Sequence, residues 1–279
     1  MKGKTVVITG ATSGIGEVAA EKLAAMGARI VLVARDRLRA EAALTNIAVA
    51  NPHAQHAVHY ADLSLLAEMK RVAAEIAAAE PTIDVLINNA GALFSERQVT
   101  ADGLEMTFAL NHMAYFVVTQ GLLPRLAGTP GARIVSTSSD AHQYGQICFD
   151  DLQSKNSYRG MRAYGTSKLC NILFTRALAR RLEGTGATAT CLHPGFVDTR
   201  FGSNNSGFLG FGFGLAKRIA AITPEKGART IVYLASSEEV AGKSGGYYYK
   251  CALGTPNAAA QNDDAAERLW EISEKIANG

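Results

Sequence analysis

The sequence predicts one α/β domain over residues 1–279, a doubly wound parallel sheet with helices on both faces. Short apolar and β-branched runs recur along the chain and alternate with longer helix-like stretches. Each run is continuous rather than alternating in polarity, as expected for strands that are covered on both sides. Strand–helix alternation of this kind gives parallel strands. The clearest strands are predicted at residues 6–8, 30–33, 85–87, 134–135 and 187–192.

Sequence patterns typical of helices lie between these runs. Gly27 follows the first helix in the C′ position that glycine favours. Asp36 is placed to cap the second helix, whose buried stripe is expected to include Leu38. Ser64 is expected to cap the third. The predicted helices cover residues 17–26, 36–47, 64–79, 103–126, 163–183 and 224–236.

Composition excludes several classes of protein. The net charge is only +3 at pH 7, too small to indicate a nucleic-acid or membrane-surface partner. The four cysteines are scattered without a C-x-x-C pair, which predicts free thiols in a reducing compartment and no metal site. No signal peptide and no apolar run of about 18 residues is present, so we expect a cytoplasmic protein without a membrane anchor.

A glycine-rich turn follows the first strand and opens the first helix, with the spacing G-x-x-x-G-x-G. Glycine lets a backbone turn tightly and approach a phosphate, and a helix N-terminus offers free N–H groups. The turn therefore predicts a dinucleotide phosphate site, with an ordinary tight turn as the alternative. Its predicted cofactor-binding members are Gly10, Thr12, Ser13, Gly14, Ile15 and Gly16.

The end of the second strand bears on the choice of cofactor. Arg35 suits the 2′-phosphate of NADP, whereas an acidic residue here would bind the ribose hydroxyls of NAD. Asp36 competes for that ribose role but is better explained as a helix cap. Arg37 and Arg39 add positive charge, or form a solvated helix face. The sequence thus favours NADP over NAD.

The third and fourth strands also end in candidate cofactor residues. Asp62 and Leu63 follow the third strand, where they could contact the adenine or form a plain turn. Asn89, Ala90 and Gly91 follow the fourth, where a dinucleotide crosses the carboxyl ends of the strands. A structural turn is the alternative for this segment as well.

Tyr164 and Lys168 are four residues apart in a predicted helix and so share one face. An ammonium beside a phenol favours the phenolate, which lowers the pKa of the tyrosine and lets it exchange a proton nearer neutral pH. A lone pair of this kind arises often by chance. Its significance comes from its position after the dinucleotide motifs.

The motifs, in this order, resemble the short-chain dehydrogenase/reductase family over essentially the whole chain. Within that family the chain is similar to the retinol dehydrogenase-like branch. The resemblance implies a single Rossmann-type domain that binds NADP at the carboxyl ends of its strands. The matching positions are the glycine turn, residues 88–91, Asn111, Ser139, Tyr164, Lys168 and residues 193–195; segments 34–36, 110–112, 138–142, 193–199 and 223–228 match the branch.

The family's catalytic roles transfer to four residues of this sequence. The resemblance implies that Tyr164 is the general acid or base and that Lys168 holds the nicotinamide ribose. It implies that Ser139, rather than the adjacent Ser138, binds the substrate oxygen. It implies that Asn111 anchors a water in the proton path, with a locally bonded helix residue as the alternative. Residues bordering the nicotinamide are implied to be Pro194, Gly195, Val197 and Thr199.

Two features concern the substrate. The resemblance implies hydride transfer between NADP and a hydrophobic alcohol, aldehyde or ketone, in a homodimer or homotetramer. Residues 201–215 interleave glycine with phenylalanine and leucine, which favours a mobile substrate loop, about 196–222, that acts as a lid; a surface-packed loop is the alternative. A non-catalytic NADP-binding sensor on the same fold is the rival function, although it would not need the four catalytic residues.

Overall fold

In the computed structural model, which describes residues 1–195 and 222–279, strands and helices alternate along the chain. The strands are β1 (Thr5–Thr9), β2 (Arg29–Ala34), β3 (Ala57–Tyr60), β4 (Val85–Asn88), β5 (Arg133–Thr137), β6 (Thr188–Leu192), β7 (Tyr247–Tyr249) and β8 (Ala252–Gly254). The helices are α1 (Gly14–Ala25), α2 (Arg37–Ala50), α3 (Leu66–Ala79), α4 (Met106–Phe108), α5 (Ala114–Ala127), α6 (Gly160–Arg181), α7 (Pro224–Ser236) and α8 (Asp263–Asn278).

The strands of these described ranges form one sheet in the order β3-β2-β1-β4-β5-β6-β7-β8. Neighbours pair in parallel from β3 to β7, and β8 runs antiparallel to β7. The strand order reverses direction beside β1, and such a switch point opens a crevice at the carboxyl ends of the strands. The predicted site residues that lie within the described ranges follow strands at this edge or lie on helices beside it.

The two faces of the sheet carry two separate apolar cores. Neighbouring residues of a strand point to opposite faces. Val7 therefore joins the core beneath α3, α5, α6 and α8, whereas Val6 and Ile8 join the core beneath α1, α2 and α7. Burial on both faces explains the continuous apolar runs, and the predicted doubly wound α/β fold is confirmed.

The cap of α2 is confirmed and its buried face is corrected. Asp36 caps the helix, since its Oδ1 accepts a hydrogen bond from the Arg39 N–H at 3.1 Å. Leu38, expected to be buried, is 80% exposed. It lies nine positions before the buried Ile47, which at 100° per residue places it about 180° around the helix.

The predicted cap of α3 is wrong. The helix begins at Leu66, and Ser64 instead donates hydrogen bonds from its N–H and its hydroxyl to Asp62 Oδ1 at 3.0 and 2.8 Å. The first N–H of α3 is satisfied by the carboxylate of Asp102, whose Oδ2 accepts it at 2.8 Å. The acceptor is 36 residues away, so no local pattern could reveal it.

Helix α8 covers the outer faces of α5 and α6. The Trp270 ring packs on Phe116 with centroids 4.9 Å apart and stacks on Phe174 at 5.9 Å. Arginines of α6 bind carboxylates of α8, as in the 2.6 Å pair between Arg180 and Glu267. The C-terminal helix therefore closes the core on this side. None of the helices in the two described ranges has the length and apolarity to cross a membrane.

His112 connects α8 to the segment before α5. Its Nε2 lies 2.8 Å from the Ser273 hydroxyl, and both side chains are fully buried. Burial penalises the imidazolium and lowers the pKa of His112 to about 3, from 6.5 in an unfolded chain. The folded protein therefore holds this imidazole neutral.

We expect this histidine to make stability depend on pH. Below pH 6.5 the His112 imidazole binds a proton in the unfolded chain, whereas in the folded protein it stays neutral down to about pH 3. The free energy of unfolding therefore decreases as the pH falls from 6.5 to about 3. Urea denaturation at pH 7 and 5 should show a smaller decrease for His112→Leu than for wild type. His53→Leu, at an exposed position, is the control; equal decreases in all three proteins would contradict the assignment.

Candidate active site

A cavity of about 1040 Å³ opens along the carboxyl ends of β1, β2, β4, β5 and β6. The structure brings to it most of the residues singled out in the sequence. Those lining it are Gly10, Thr12, Ser13, Ile15, Arg35, Asp62, Leu63, Asn89, Ala90, Gly91, Ser139, Tyr164, Lys168, Pro194 and Gly195. Val197, Thr199 and segment 201–215 lie outside the described residues.

The glycine turn touches the loop after β4. Gly10 has φ +67°, and a Cβ on it would lie 2.6 Å from the Ala90 Cα. Asn89 Nδ2 donates to the Gly10 carbonyl at 3.0 Å. A Cβ on Gly16 would meet the same Asn89 nitrogen. Gly14, with φ +63°, and Gly16 belong to the turn without lining the cavity, whereas Ser13 and Ile15 at the start of α1 line it.

Basic side chains surround the end of β2. Arg35 is 75% exposed on its side chain, and its Nη1 lies 3.7 Å from Asp62 Oδ2. Arg39 also lines the cavity, whereas Asp36, used as the cap of α2, does not. The Arg37 guanidinium lies 4.2 Å over the Tyr60 ring and outside the cavity lining. Two of the three arginines therefore line the cavity at the end of β2.

Asn111 lies in a π-helical stretch, Ala109–Met113, that interrupts the predicted continuous helix between α4 and α5. The side chain is fully buried. Its Oδ1 accepts the Ala92 N–H at 2.8 Å, and its Nδ2 donates to the Ala92 carbonyl and the Ser167 hydroxyl, both at 2.9 Å. Asn111 therefore ties the loop after β4 to α6, and it does not line the cavity.

Ser138 and Ser139 use their hydroxyls differently. Ser138 is buried and donates to the Lys168 carbonyl at 2.7 Å, which attaches β5 to α6. Ser139 is half-buried, accepts the Ala141 N–H at 3.2 Å and shares a side-chain hydrogen bond with Tyr164. Of the two hydroxyls, that of Ser139 is the one positioned beside the phenol.

Tyr164 and Lys168 lie side by side on α6. The Lys168 ammonium is 5.6 Å from the centre of the Tyr164 ring and donates to the Thr137 carbonyl at 3.1 Å. Burial lowers the pKa of Lys168 to about 8. Burial also raises the pKa of Tyr164, against a lowering by the Ser139 hydrogen bond. The lowered phenol pKa expected from the sequence is thus not observed in the chain itself.

Further residues line the cavity that were not among the predicted site residues. Most are apolar and come from the loop after β4, from α4 and from the start of α6. Tyr249 of β7 lies among them, and its ring stacks on His193 at 4.0 Å. The apolar members are Leu93, Phe94, Met106, Leu110 and Met161.

Comparisons with known proteins define the family. The family model described as short chain dehydrogenase matches residues 4–209. Human retinol dehydrogenase 14 is 43% identical, covering 98% of this chain and 86% of that protein, and human retinol dehydrogenase 12 is 40% identical with the same coverage. The chain belongs to the short-chain dehydrogenase family of oxidoreductases. Its predicted similarity to the retinol dehydrogenases is confirmed.

Solved structures agree with this assignment. An uncharacterized protein from Mycobacterium paratuberculosis superposes with a TM-score of 0.79 at 31% identity, covering 99% of this chain and 94% of that chain. A short chain dehydrogenase from Burkholderia cenocepacia in complex with NADP superposes with a TM-score of 0.71 at 25% identity, covering 88% and 95%.

Removing the Asn111 amide should destabilise the protein. Asn111→Ala leaves the N–H and carbonyl of Ala92 without their partner, and we expect a loss of about 3 kcal/mol in the free energy of unfolding by urea denaturation. Asn46→Ala, on an exposed position of α2, should change it by less than about 0.5 kcal/mol. Equal losses for the two variants would show that the Ala92 contacts contribute nothing.

Proposed function

We propose that this protein is an NADP-dependent oxidoreductase that interconverts a hydrophobic alcohol and its aldehyde or ketone. One observation carries the proposal: Ser139, Tyr164 and Lys168 line the same cavity as the glycine turn and Arg35. Nucleotide-binding and proton-transferring groups therefore share one continuous space. Membership in a family of dehydrogenases supports the same reaction class.

The residues at the β1 and β2 ends fit a dinucleotide. The Ser13 side chain makes no capping hydrogen bond at the start of α1, and Ser13 and Ile15 line the cavity, so backbone N–H groups of this helix end suit a pyrophosphate. Arg35 and Arg39 supply planar guanidinium donors suited to a phosphate on the ribose. Lys168 and the Pro194–Gly195 backbone would hold the nicotinamide end. When bound, the nicotinamide supplies or accepts the hydride.

Side chains of the protein donate and accept the proton of the reaction. In reduction, the Tyr164 hydroxyl gives its proton to the oxygen of the former carbonyl; in oxidation, the phenolate takes the proton from the alcohol. The Ser139 hydroxyl donates a hydrogen bond to that oxygen and stabilises its developing charge. Lys168, held at the Thr137 carbonyl, provides a nearby positive charge that favours the phenolate.

The apolar side of the cavity supports a hydrophobic substrate. Leu93, Phe94, Met106, Leu110 and Met161 line it, and such surfaces favour ligands with a long apolar body and one polar end. The similarity to human retinol dehydrogenases 14 and 12 adds a retinoid aldehyde to the substrates worth testing. A panel of all-trans-retinal and medium-chain aldehydes would rank them by kcat/KM.

A non-catalytic NADP sensor is disfavoured by the polar contacts around Tyr164. A sensor needs the dinucleotide end alone, whereas here Ser139 is hydrogen-bonded to Tyr164 and Lys168 is buried beside it. NADPH oxidation with the aldehyde panel separates the two functions. Tight NADPH binding without turnover of any member would favour the sensor.

Tyr164→Phe should abolish the reaction and spare the nucleotide. The variant keeps the ring but loses the transferable proton, so we expect kcat to fall about 10²–10⁴-fold. NADPH affinity, measured by fluorescence titration, should stay close to that of wild type. Tyr233→Phe, which removes a hydroxyl on α7 that contacts Glu239, should retain full activity. Retained turnover by Tyr164→Phe would refute the mechanism.

Arg35 and Arg39 should set the preference between NADPH and NADH. Losing a charged contact to the 2′-phosphate costs about tenfold in affinity, so Arg35→Ala and Arg39→Ala should each raise KM for NADPH and leave KM for NADH unchanged. Arg37→Ala, whose guanidinium stacks on Tyr60, is the matched control. Equal wild-type efficiency with NADH and NADPH would overturn the NADP proposal.

A further inference from the structure

The environment of Lys168 includes an aromatic ring that the mechanism above does not use. Tyr115, near the start of α5, is buried, and the Lys168 ammonium lies 5.5 Å from the centre of its ring. That distance is within the range in which a ring face attracts a cation. The ammonium also lies 5.6 Å from the centre of the Tyr164 ring. The buried charge is thus close to two phenol rings.

Tyr115 also acts on the carbonyl that holds Lys168. The Thr137 oxygen accepts the Lys168 ammonium at 3.1 Å, the Asn171 amide at 3.2 Å and the Tyr115 hydroxyl at 3.4 Å. Three donors from α5 and α6 therefore meet at the end of β5. Burial raises the pKa of the Tyr115 phenol, so its hydroxyl keeps the proton that it donates.

A lysine side chain needs such restraint, because it is flexible and has no rigid donor fork. Thr137 restrains the ammonium from one direction only. The ring of Tyr115 supplies a second contact, and it does so in a buried place where cation–π attraction is strongest. Tyr115 does not line the cavity, so it touches neither substrate nor nucleotide.

We propose that Tyr115 is a positioning residue whose ring face, together with the Thr137 carbonyl, holds the Lys168 ammonium charged and in place beside Tyr164. The kinetic part of this inference rests on the proposed oxidoreductase function; the structural part does not. Among residues 1–195 and 222–279, the titratable groups that face Lys168 are Tyr164 on its own helix, Tyr115 on α5 and Cys191 on β6. Burial raises the pKa of Cys191 to about 12, which leaves that thiol neutral.

The titration of Lys168 tests the proposal without any substrate. The protein is labelled with ¹³C at lysine Cε, and the Lys168 signal is assigned by its loss in Lys168→Met. Tyr115→Leu removes the ring and should lower the titration midpoint of Lys168 by about one pH unit. Tyr115→Phe retains the ring and should keep the midpoint near that of wild type. Tyr115→Met replaces the Leu variant if the latter does not fold.

Kinetics with NADPH and an aldehyde give the second readout. Tyr115→Leu should lower kcat about tenfold, move the alkaline limb of the kcat profile to lower pH and leave KM for the aldehyde nearly unchanged. Tyr115→Phe should restore most of kcat. If wild type turns over no carbonyl, the proposed function fails, and the Lys168 titration alone decides the role of Tyr115.

Tyr248→Leu is the matched control, because Tyr248 is a buried tyrosine in the core on the opposite face of the sheet. It should lower the melting temperature and leave the Lys168 midpoint unchanged. The proposal is overturned if Tyr115→Leu leaves the midpoint at its wild-type value. It is also overturned if Tyr248→Leu moves the midpoint as far, since loss of stability would then be a sufficient cause.

Discussion

The Lys168 ammonium donates to the Thr137 carbonyl at 3.1 Å in the interior of the protein, where an unpaired charge is costly. Several neighbouring groups hold and stabilise that charge. Strand β5 ends so that its last carbonyl faces α6, and Ser138 bonds the Lys168 backbone to the same strand. The adjacent α5 contributes the Tyr115 ring. The cavity end of β5 is therefore organised around a buried cation.

Two adjacent serines that follow β5 differ in what their side chains do: Ser138 holds β5 to α6, and Ser139 faces the cavity. Ser138 points into the protein and attaches the strand to α6, while Ser139 reaches the cavity. Because side chains alternate along extended backbone, a shift of one residue would exchange these two environments. The attachment thus fixes the register that places the second hydroxyl beside Tyr164. Asn111 makes a second attachment to α6, because it binds both Ala92 in the loop after β4 and Ser167 of that helix.

The parts of the fold that could be predicted from sequence are those determined by residues close together in the chain. Continuous apolar runs, the glycine turn and the i, i+4 spacing of Tyr164 and Lys168 express constraints within a few residues. Those features define the sheet, the glycine turn and the Tyr164–Lys168 pair, which form part of the cavity lining. The start of α3 could not be predicted from neighbouring residues, because the carboxylate that accepts its first N–H belongs to Asp102, 36 residues away. The π-helical stretch around Asn111 and the contact of Tyr115 with Lys168 likewise depend on tertiary packing.

Covering α6 with α8 has a consequence during synthesis of the chain. Phe116 and Phe174 leave the ribosome well before Trp270, the ring that packs on both of them. A nascent chain therefore carries a large exposed apolar surface on α5 and α6 until residues 263–278 emerge. Such surfaces bind chaperones or aggregate if elongation stalls. Burial of the outer faces of α5 and α6 is thereby coupled to translation of α8.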